Sequence, residues 1–167
     1  MNTVKTLINK LELIPHPEGG YYKQTFISDI SVQLDDKRTR KINTAIYYLL
    51  ESDDFSCWHR LKSNEIWHYY SGSSLTIYEI NARGELSHIL LGNPMQHEGA
   101  LPQHIIWPNT WFAARVNQLN TFSLVGCTVS PGFDFADFTI GSKEEMLAQF
   151  PKHEKTICQL SRALKKV

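Results

Sequence analysis

The sequence lacks several features that would assign a functional class at once. Lysine and arginine together number 17, as do aspartate and glutamate, so the formal net charge is zero. Proteins that bind nucleic acid carry an excess of positive charge, so we expect no nucleic-acid partner. There is no apolar run long enough to cross a membrane and no signal peptide, so we expect no membrane partner either.

Cysteine is also scarce. Cys57, Cys127 and Cys158 are odd in number, far apart and without a Cys-x-x-Cys pair, which argues against a disulfide framework or a zinc knuckle. Reduced thiols are typical of the cytoplasm, where we expect this protein to reside. A chain of 167 residues is long enough to form a single domain with its own core.

Most of the chain has the pattern of short strands separated by turn residues, which indicates an all-β sandwich or barrel with its core at about 20–140. Mixed charge at 35–41 predicts a solvated loop. The ends of the chain have helical periodicity instead. A short helix is expected after a cap at Thr3 and should stop before Pro15. A helical cover is expected over 142–166, with a capping box at Ser142 and a second helix that includes Leu164. The predicted strands are Tyr21–Ile27, Thr44–Leu50, Leu75–Ile80, Leu86–Leu91, Gln103–Trp107, Trp111–Val116 and Thr121–Val129.

The stretch 56–72 concentrates the side chains that carry chemistry, and its alternation predicts a β-hairpin. Glu65, Trp67 and Tyr69 share one face of its second strand because side chains alternate along a strand. His59 ends the partner strand, close enough to meet Glu65. Such a pair could bind a metal, move a proton or simply satisfy its own hydrogen bonds.

Several peptides carry a family resemblance. His59, Leu61, Glu65 and Gly72 keep the spacing of the first cupin motif. Residues 15–22, 63–68 and 125–135 resemble more narrowly the cupin-5 family, also called the domain of unknown function 985. The resemblance implies a double-stranded β-helix (jelly-roll) barrel, usually a homodimer, with a ligand cavity inside.

The departures from the cupin pattern concern the metal ligands. Leu61 stands where metal-binding cupins have a second histidine, and the segment 108–113 lacks the glycine and histidine of the second motif. Zinc or iron normally takes at least three protein ligands. We therefore expect no metal or other cofactor; if a metal were bound, His59, Glu65 and His104 would be its ligands.

Three functions remain open from the sequence. The first is recognition of a small polar metabolite, carbohydrate- or nucleotide-like, with metal-free chemistry resembling that of sugar-nucleotide epimerases: His59 as the base, Glu65 as its orienting partner, and Tyr69 or Tyr78 as the acid. The second is a metal-dependent dioxygenase or isomerase. The third is a binding module without catalysis, because indoles and other aromatic rings suit a ligand pocket. The expected ligand-binding residues are Trp67, His68, Tyr78, His104 and Trp111.

Three further features carry weaker expectations. Asp134 and Asp137 follow a Pro-Gly turn, where bonding to backbone amides explains them. Residues 16–20 could bend over the barrel mouth or pack at a dimer interface, since adjacent glycines allow close backbone approach. The predicted edge strand Tyr21–Ile27 favours a homodimer, because edge strands gain by pairing with a second subunit.

Overall fold

The computed structural model describes residues 3–162, which form thirteen strands, three α-helices and two 3₁₀ turns. The helices are α1 (Thr3–Leu11), α2 (Lys143–Gln149) and α3 (Glu154–Gln159). The strands are β1 (Ile14–Pro15), β2 (Tyr21–Ile27), β3 (Ser31–Gln33), β4 (Thr39–Lys41), β5 (Thr44–Glu51), β6 (Phe55–Leu61), β7 (Asn64–Gly72), β8 (Leu75–Ile80), β9 (Leu86–Leu91), β10 (Gln103–Ile106), β11 (Trp111–Val116), β12 (Phe122–Ser130) and β13 (Phe138–Ile140).

The strands form two large antiparallel sheets and one separate hairpin. The first sheet has the order β1-β2-β5-β12-β7-β10 and the second has the order β13-β6-β11-β8-β9, while β3 pairs with β4. Many neighbours within a sheet are distant in sequence, as in a jelly roll. The all-β prediction, with short helices near both ends, is therefore confirmed, and β2, β8, β9 and β11 begin and end at the predicted residues.

The main core lies between the two sheets. Strand β12 pairs with β5 on one side and β7 on the other, and its inward-facing residues Val125 and Cys127 are buried. They belong to the same apolar cluster as Ile77 of β8 and Phe112 of β11. Burying a large apolar side chain contributes about 1.5–3 kcal/mol, so this interleaved layer holds the two sheets together.

A second cluster lies outside the barrel, beneath the C-terminal helices. Trp58 and Trp111 of the second sheet pack there with Met146 of α2 and Ile157 of α3. Helix α2 begins as predicted, since Ser142 Oγ accepts a hydrogen bond from the Glu145 amide at 3.2 Å. The second tail helix is shorter than expected and ends at Gln159; Leu164 lies outside the described residues.

The mixed-charge block at 35–41 is not the plain solvated loop that the sequence predicted. Its last three residues form β4, which pairs with β3. Arg40 Nε lies 2.7 Å from Asp137 Oδ2, and Arg38 Nη1 lies 2.6 Å from the same oxygen. A loop prediction from charge alone fails here because the arginines have a buried partner far along the chain. No helix within residues 3–162 is long and apolar enough to cross a membrane.

Candidate functional site

A cavity of about 200 Å³ opens between the sheets at one end of the barrel. Its walls come from β2, β5, β6, β7 and β12, from the loop before β2, and from the segment around β13. The lining residues are His16, Glu18, Tyr22, Gln24, Thr44, Ile46, Tyr48, His59, Leu61, Glu65, Cys127, Val129, Phe133, Phe135 and Phe138. Both residues that the sequence placed in a shared hollow, His59 and Glu65, are among them.

The loop at residues 15–20 brings a carboxylate into this cavity. Glu18 is buried, and its carbonyl oxygen accepts a hydrogen bond from the Cys57 amide at 2.9 Å. The hydroxyl of Tyr48 donates to Gly19 O at 2.8 Å. Gly20 has a φ of +66°, and a Cβ there would lie 2.5 Å from Leu49 O, so only glycine fits without strain. The loop is a fixed part of the cavity wall.

Asp54 also fixes the position of the loop at residues 15–20. Its Oδ2 accepts a hydrogen bond from the Gly20 amide at 2.8 Å, and its Oδ1 accepts one from the Arg162 guanidinium. Arg162 also donates to Phe55 O at 2.6 Å, and its Cζ lies 4.4 Å from the centroid of the Phe55 ring. The loop therefore depends on a residue close to the C-terminal end of the described chain.

Three side chains surround the Glu18 carboxylate. Ser56 Oγ donates to Glu18 Oε1 at 3.0 Å. Glu18 Oε2 lies 3.2 Å from His59 Nε2 and 3.5 Å from His16 Nδ1. The carboxylate partner of His59 is therefore Glu18, and the expected contact between His59 and Glu65 is replaced by this one. The hairpin turn brings His59 and Glu65 into the same cavity, but the loop inserts Glu18 beside the imidazole.

The hydrogen bonds of His59 fix where its proton lies. Its Nδ1 is 2.7 Å from Cys57 O, and because a carbonyl can only accept, Nδ1 carries a proton and donates. The other nitrogen, Nε2, faces Glu18 Oε2, so that contact needs a proton of its own, supplied by either partner. Burial lowers the pKa of His59, while the charge of Glu18 acts to raise it. One proton therefore lies between His59 Nε2 and Glu18 Oε2.

Glu65 is the least satisfied polar group of the cavity. It is only 6% exposed, and within residues 3–162 its Oε2 has no hydrogen-bonding partner. Burial, with the nearby charge of Glu18, raises the pKa of Glu65 to about 8; the Cys127 thiol and the Trp67 indole oppose this more weakly. At neutral pH Glu65 is therefore mostly protonated and carries a hydroxyl that can donate a hydrogen bond.

Phenylalanines form the apolar part of the cavity rim. The rings of Phe133 and Phe135 meet edge to face with centroids 5.0 Å apart, and Phe138 lies 5.4 Å from the His59 ring. Asp134 accepts from the Ala136 amide at 2.8 Å, as predicted. The backbone interpretation of Asp137 is wrong, because its carboxylate is paired with Arg38 and Arg40. These two ion pairs join the rim segment to the β3–β4 hairpin.

The predicted aromatic ligand-binding residues lie away from the cavity lining. Trp67 is buried between the sheets, with ring centroids 5.5 Å from Tyr48 and 6.1 Å from Phe112. Trp111 packs under the C-terminal helices, with the Arg60 guanidinium 4.5 Å from its ring centroid. Both indoles serve packing, which the sequence pattern could not separate from ligand contact.

The two tyrosines proposed as acids also lie outside the lining. The Tyr69 hydroxyl donates to Gly72 O at 2.6 Å, on an exposed part of β7. Tyr78 packs beside the second cluster, its ring 5.0 Å from His88. The structure does not bring either hydroxyl together with His59.

The remaining predicted histidines have partners elsewhere. His68 Nε2 contacts Thr128 Oγ1 at 3.1 Å on the outer face of the first sheet. His104 Nε2 donates to Glu79 Oε1 at 2.5 Å, so it does not join His59 and Glu65. Over the described part of the chain, no three His, Cys, Asp or Glu side chains are arranged to hold a metal ion. The metal that the jelly-roll resemblance implies does not fit these residues.

Sequence reasoning missed His16 and Glu18 as site residues. The peptide at 15–20 was noted for its prolines and glycines, and its location at the barrel end was one of two alternatives. The sequence did contain one signal for Glu18 as a site residue. It is a charged residue directly before two glycines, in a loop that also contains two prolines. Only the fold shows that this loop lies against β6 and points its carboxylate inward.

Three proteins of known sequence or structure are similar to this chain over most of its length. A hypothetical protein from Leishmania major has 31% identity and a TM-score of 0.88, covering 95% of this chain and 98% of its own. Protein SO0799 from Shewanella oneidensis has 39% identity and a TM-score of 0.87, covering 95% and 96%. The uncharacterized protein YML079W from Saccharomyces cerevisiae is 27% identical over 168 residues, which is 92% of this chain and 83% of that protein.

The family assignment follows from a match over most of the chain. The family model described as Cupin superfamily (DUF985) matches residues 5–141, a range that includes the loop at 15–20, His59 and Glu65 of the cavity, and the phenylalanine rim. The expected resemblance is confirmed, and the chain belongs to the DUF985 family of the cupin superfamily.

Proposed function

We propose that this protein binds a small polar metabolite in the cavity and handles protons on it without a metal. The supporting observation is Glu65, a buried carboxyl group that lines an accessible cavity and has an oxygen without a partner in the described chain. A buried polar group that lacks a hydrogen bond costs about 1–3 kcal/mol. A bound ligand oxygen that accepts from Glu65 removes this cost.

The acid–base roles follow from the neighbouring groups. The Glu18 carboxylate, which Ser56 and His59 hold in place, takes a proton from a carbon next to a ligand carbonyl, and protonated Glu65 gives its proton to the carbonyl oxygen, leaving a neutral enol. Return of the carbon proton, and of the oxygen proton to Glu65, completes an epimerisation or isomerisation. Relative to the sequence-based scheme, Glu18 takes the place of His59 as the base, His59 becomes the group that orients it, and Glu65 replaces the tyrosines as the acid.

A ligand screen tests binding first. Purified protein is screened against a library of metabolites by thermal shift, because a ligand that binds only the folded state raises the melting temperature. Each hit is repeated on Val129→Phe and on Ile46→Phe, two substitutions that fill the cavity. We expect hits to disappear in both variants. Hits that survive both fillings lie elsewhere on the molecule and contradict the proposal.

Deuterium incorporation then separates catalysis from binding. Each hit is incubated with the protein in D₂O, and its carbon-bound hydrogens are followed by proton NMR. Proton abstraction washes solvent deuterium into the ligand, and the His59→Asn variant should lose this exchange while still folding. A hit that stays fully protonated over long incubation supports a binding module without catalysis.

We also propose a homodimer formed through the β2 edge. Beyond its pairing with the two-residue strand β1, one side of β2 is unpaired in the described chain. Phe26, Ile27 and Ile30 are each at least half exposed near this edge. Sedimentation should give twice the chain mass, and Phe26→Asp should give the monomer. A wild-type monomer at micromolar concentration contradicts the proposal.

We further propose that the protein resides in the cytoplasm. Its three cysteines are unpaired, as is usual in that reducing compartment.

A further inference from the structure

The charged groups that line the cavity define which ligands it can accept. Among the described residues, no lysine or arginine lines it. Arg38 and Arg40, which lie near the rim, are both paired with Asp137. An anionic ligand would therefore enter a low-dielectric space without a fixed positive side chain, and with Glu18 already present as a like charge. Burying an unpaired charge is strongly unfavourable.

The carboxylates of the cavity offer little to a cation either. Both oxygens of Glu18 already have partners, Oε1 with Ser56 and Oε2 with His59. Glu65 favours its neutral form, because burial raises its pKa to about 8. A cation would have to ionise Glu65 or displace the imidazole from Glu18, and each costs free energy. The cavity as it stands has no excess charge of either sign.

The shape and the remaining polar groups favour a compact neutral molecule. A volume of about 200 Å³ is somewhat larger than the roughly 150 Å³ cavity that holds benzene, so one ring with polar substituents fits. Phe133 and Phe138 offer apolar ring surface at the rim, whereas Thr44 and Gln24 offer hydrogen bonds to hydroxyl or carbonyl groups.

Resting on the proposed function, we infer that the ligand is an uncharged, oxygen-rich compound with one ring, such as a sugar without phosphate, and that binding requires the protonated carboxyl of Glu65. Phosphorylated and carboxylated forms of the same compounds are excluded. The inference therefore narrows the expected ligands from carbohydrate- or nucleotide-like compounds to uncharged ones. It excludes sugar nucleotides, because these carry phosphate groups.

The pH dependence of binding involves every titratable group that shares the cavity with Glu65. These are His16 and Glu18 of the loop, Tyr22 of β2, Tyr48 of β5, His59 of β6 and Cys127 of β12. Burial raises the pKa of both the Tyr48 hydroxyl and the Cys127 thiol well above their ordinary values, so neither ionises near pH 8. Burial lowers the pKa of His59. A loss of binding between pH 7 and 9 that disappears in Glu65→Gln is therefore assigned to Glu65.

Matched probes test the inference. Protein with labelled isoleucine and valine methyl groups is titrated with benzyl alcohol, benzoate and benzylamine, and with methyl glucoside, glucuronate and glucosamine. The Ile46 and Val129 methyl groups, which line the cavity, report binding by NMR. We expect only the uncharged member of a set to shift them at pH 7. If only the protonated form binds, the apparent Kd should be about tenfold weaker at pH 9 than at pH 7.

Variants at Glu65 and at a surface carboxylate assign the pH effect. Glu65→Gln cannot ionise, so its Kd should not change between pH 7 and 9. Glu98→Gln removes a carboxylate of the same size from an exposed position and should keep the wild-type pH dependence. Loss of the pH dependence in both variants, or in neither, overturns the role of Glu65.

The outcomes also separate this inference from the proposed function. If a charged probe binds at the cavity methyl groups as tightly as its neutral counterpart, the inference fails while the proposal of a ligand cavity stands. If none of the six probes shifts either methyl group at millimolar concentration, and the metabolite screen also yields nothing, both fail. Binding confined to neutral probes and lost above pH 8 supports both.

Discussion

Glu65 should make the stability of the folded protein fall with rising pH, and Glu65→Gln should remove this effect. The pKa of Glu65 is raised from 4.5 to about 8 in the folded state. Between these values the folded protein holds a proton that the unfolded chain has released. The free energy of unfolding therefore decreases as pH rises, whereas below the lower value both states are protonated and the residue has no effect.

The size of the effect follows from linkage. Each pH unit inside this window costs about 1.4 kcal/mol, so the group removes roughly 4 kcal/mol between pH 5 and pH 8 if it titrates alone. Because Glu65 is fully buried, little of this is screened by solvent. Set against a typical total stability of about 5–15 kcal/mol, the loss is easily measured.

Urea unfolding followed by tryptophan fluorescence provides the assay. The free energy of unfolding is measured at half-unit steps from pH 5 to 8.5 for wild type, Glu65→Gln and the surface control Glu98→Gln. Subtracting the variant curve from the wild-type curve cancels the other titrating groups. The wild type should lose stability relative to Glu65→Gln as pH rises, while Glu98→Gln follows the wild type. A difference that stays constant across the range refutes the protonated state of Glu65.

Three other predictions concern the walls of the cavity. Gly20→Ala should lower the free energy of unfolding by about 1–3 kcal/mol, because residue 20 has a φ of +66° and the new Cβ would clash with Leu49 O. Urea unfolding measures this change, and an unchanged midpoint would contradict the fixed position of the loop at residues 15–20. Asp137→Asn leaves Arg38 and Arg40 without their shared carboxylate and should cost about 2–4 kcal/mol at pH 7. These arginines hold the pKa of Asp137 below its ordinary value, so the cost should shrink as the pH falls from that ordinary value to the lowered one. The exposed Cys158 should react first with a thiol reagent. Burial raises the pKa of Cys57 to about 12 and that of Cys127 well above its ordinary value, so neither forms a reactive thiolate at neutral pH. Fast modification of the Cys158→Ser variant would contradict this order of reactivity.

Much of the fold was accessible from the sequence because its strands alternate cleanly. Strands such as Leu75–Ile80 and Trp111–Val116 have turn residues on both sides, so their bounds were predicted exactly. The hairpin at 31–41 was missed because its charged residues do not alternate with apolar ones. Its stability comes from the ion pairs with Asp137, which no local pattern could indicate.

The candidate site was only partly accessible for a similar reason. His59 and Glu65 lie on neighbouring strands joined by a tight turn, so local spacing placed them in one cavity. Glu18 lies in a loop whose position is set by hydrogen bonds to Cys57 and Asp54, both distant in sequence. Trp67 and Trp111 lie outside the lining of this cavity; an indole in a strand gives the same sequence pattern whether it faces a core or a pocket.

Asp54 connects the loop of the cavity wall to Arg162, near the C-terminal end of the described chain. One of its oxygens accepts from Gly20 and the other from Arg162, while every strand is complete by Ile140. A protein shortened to end at residue 161 keeps the buried Leu160 and should therefore keep its sheets and its circular dichroism spectrum, yet it would leave Asp54 without the Arg162 guanidinium and Glu18 less firmly held. Ligand affinity, rather than folding, is where such a truncation would first be noticed.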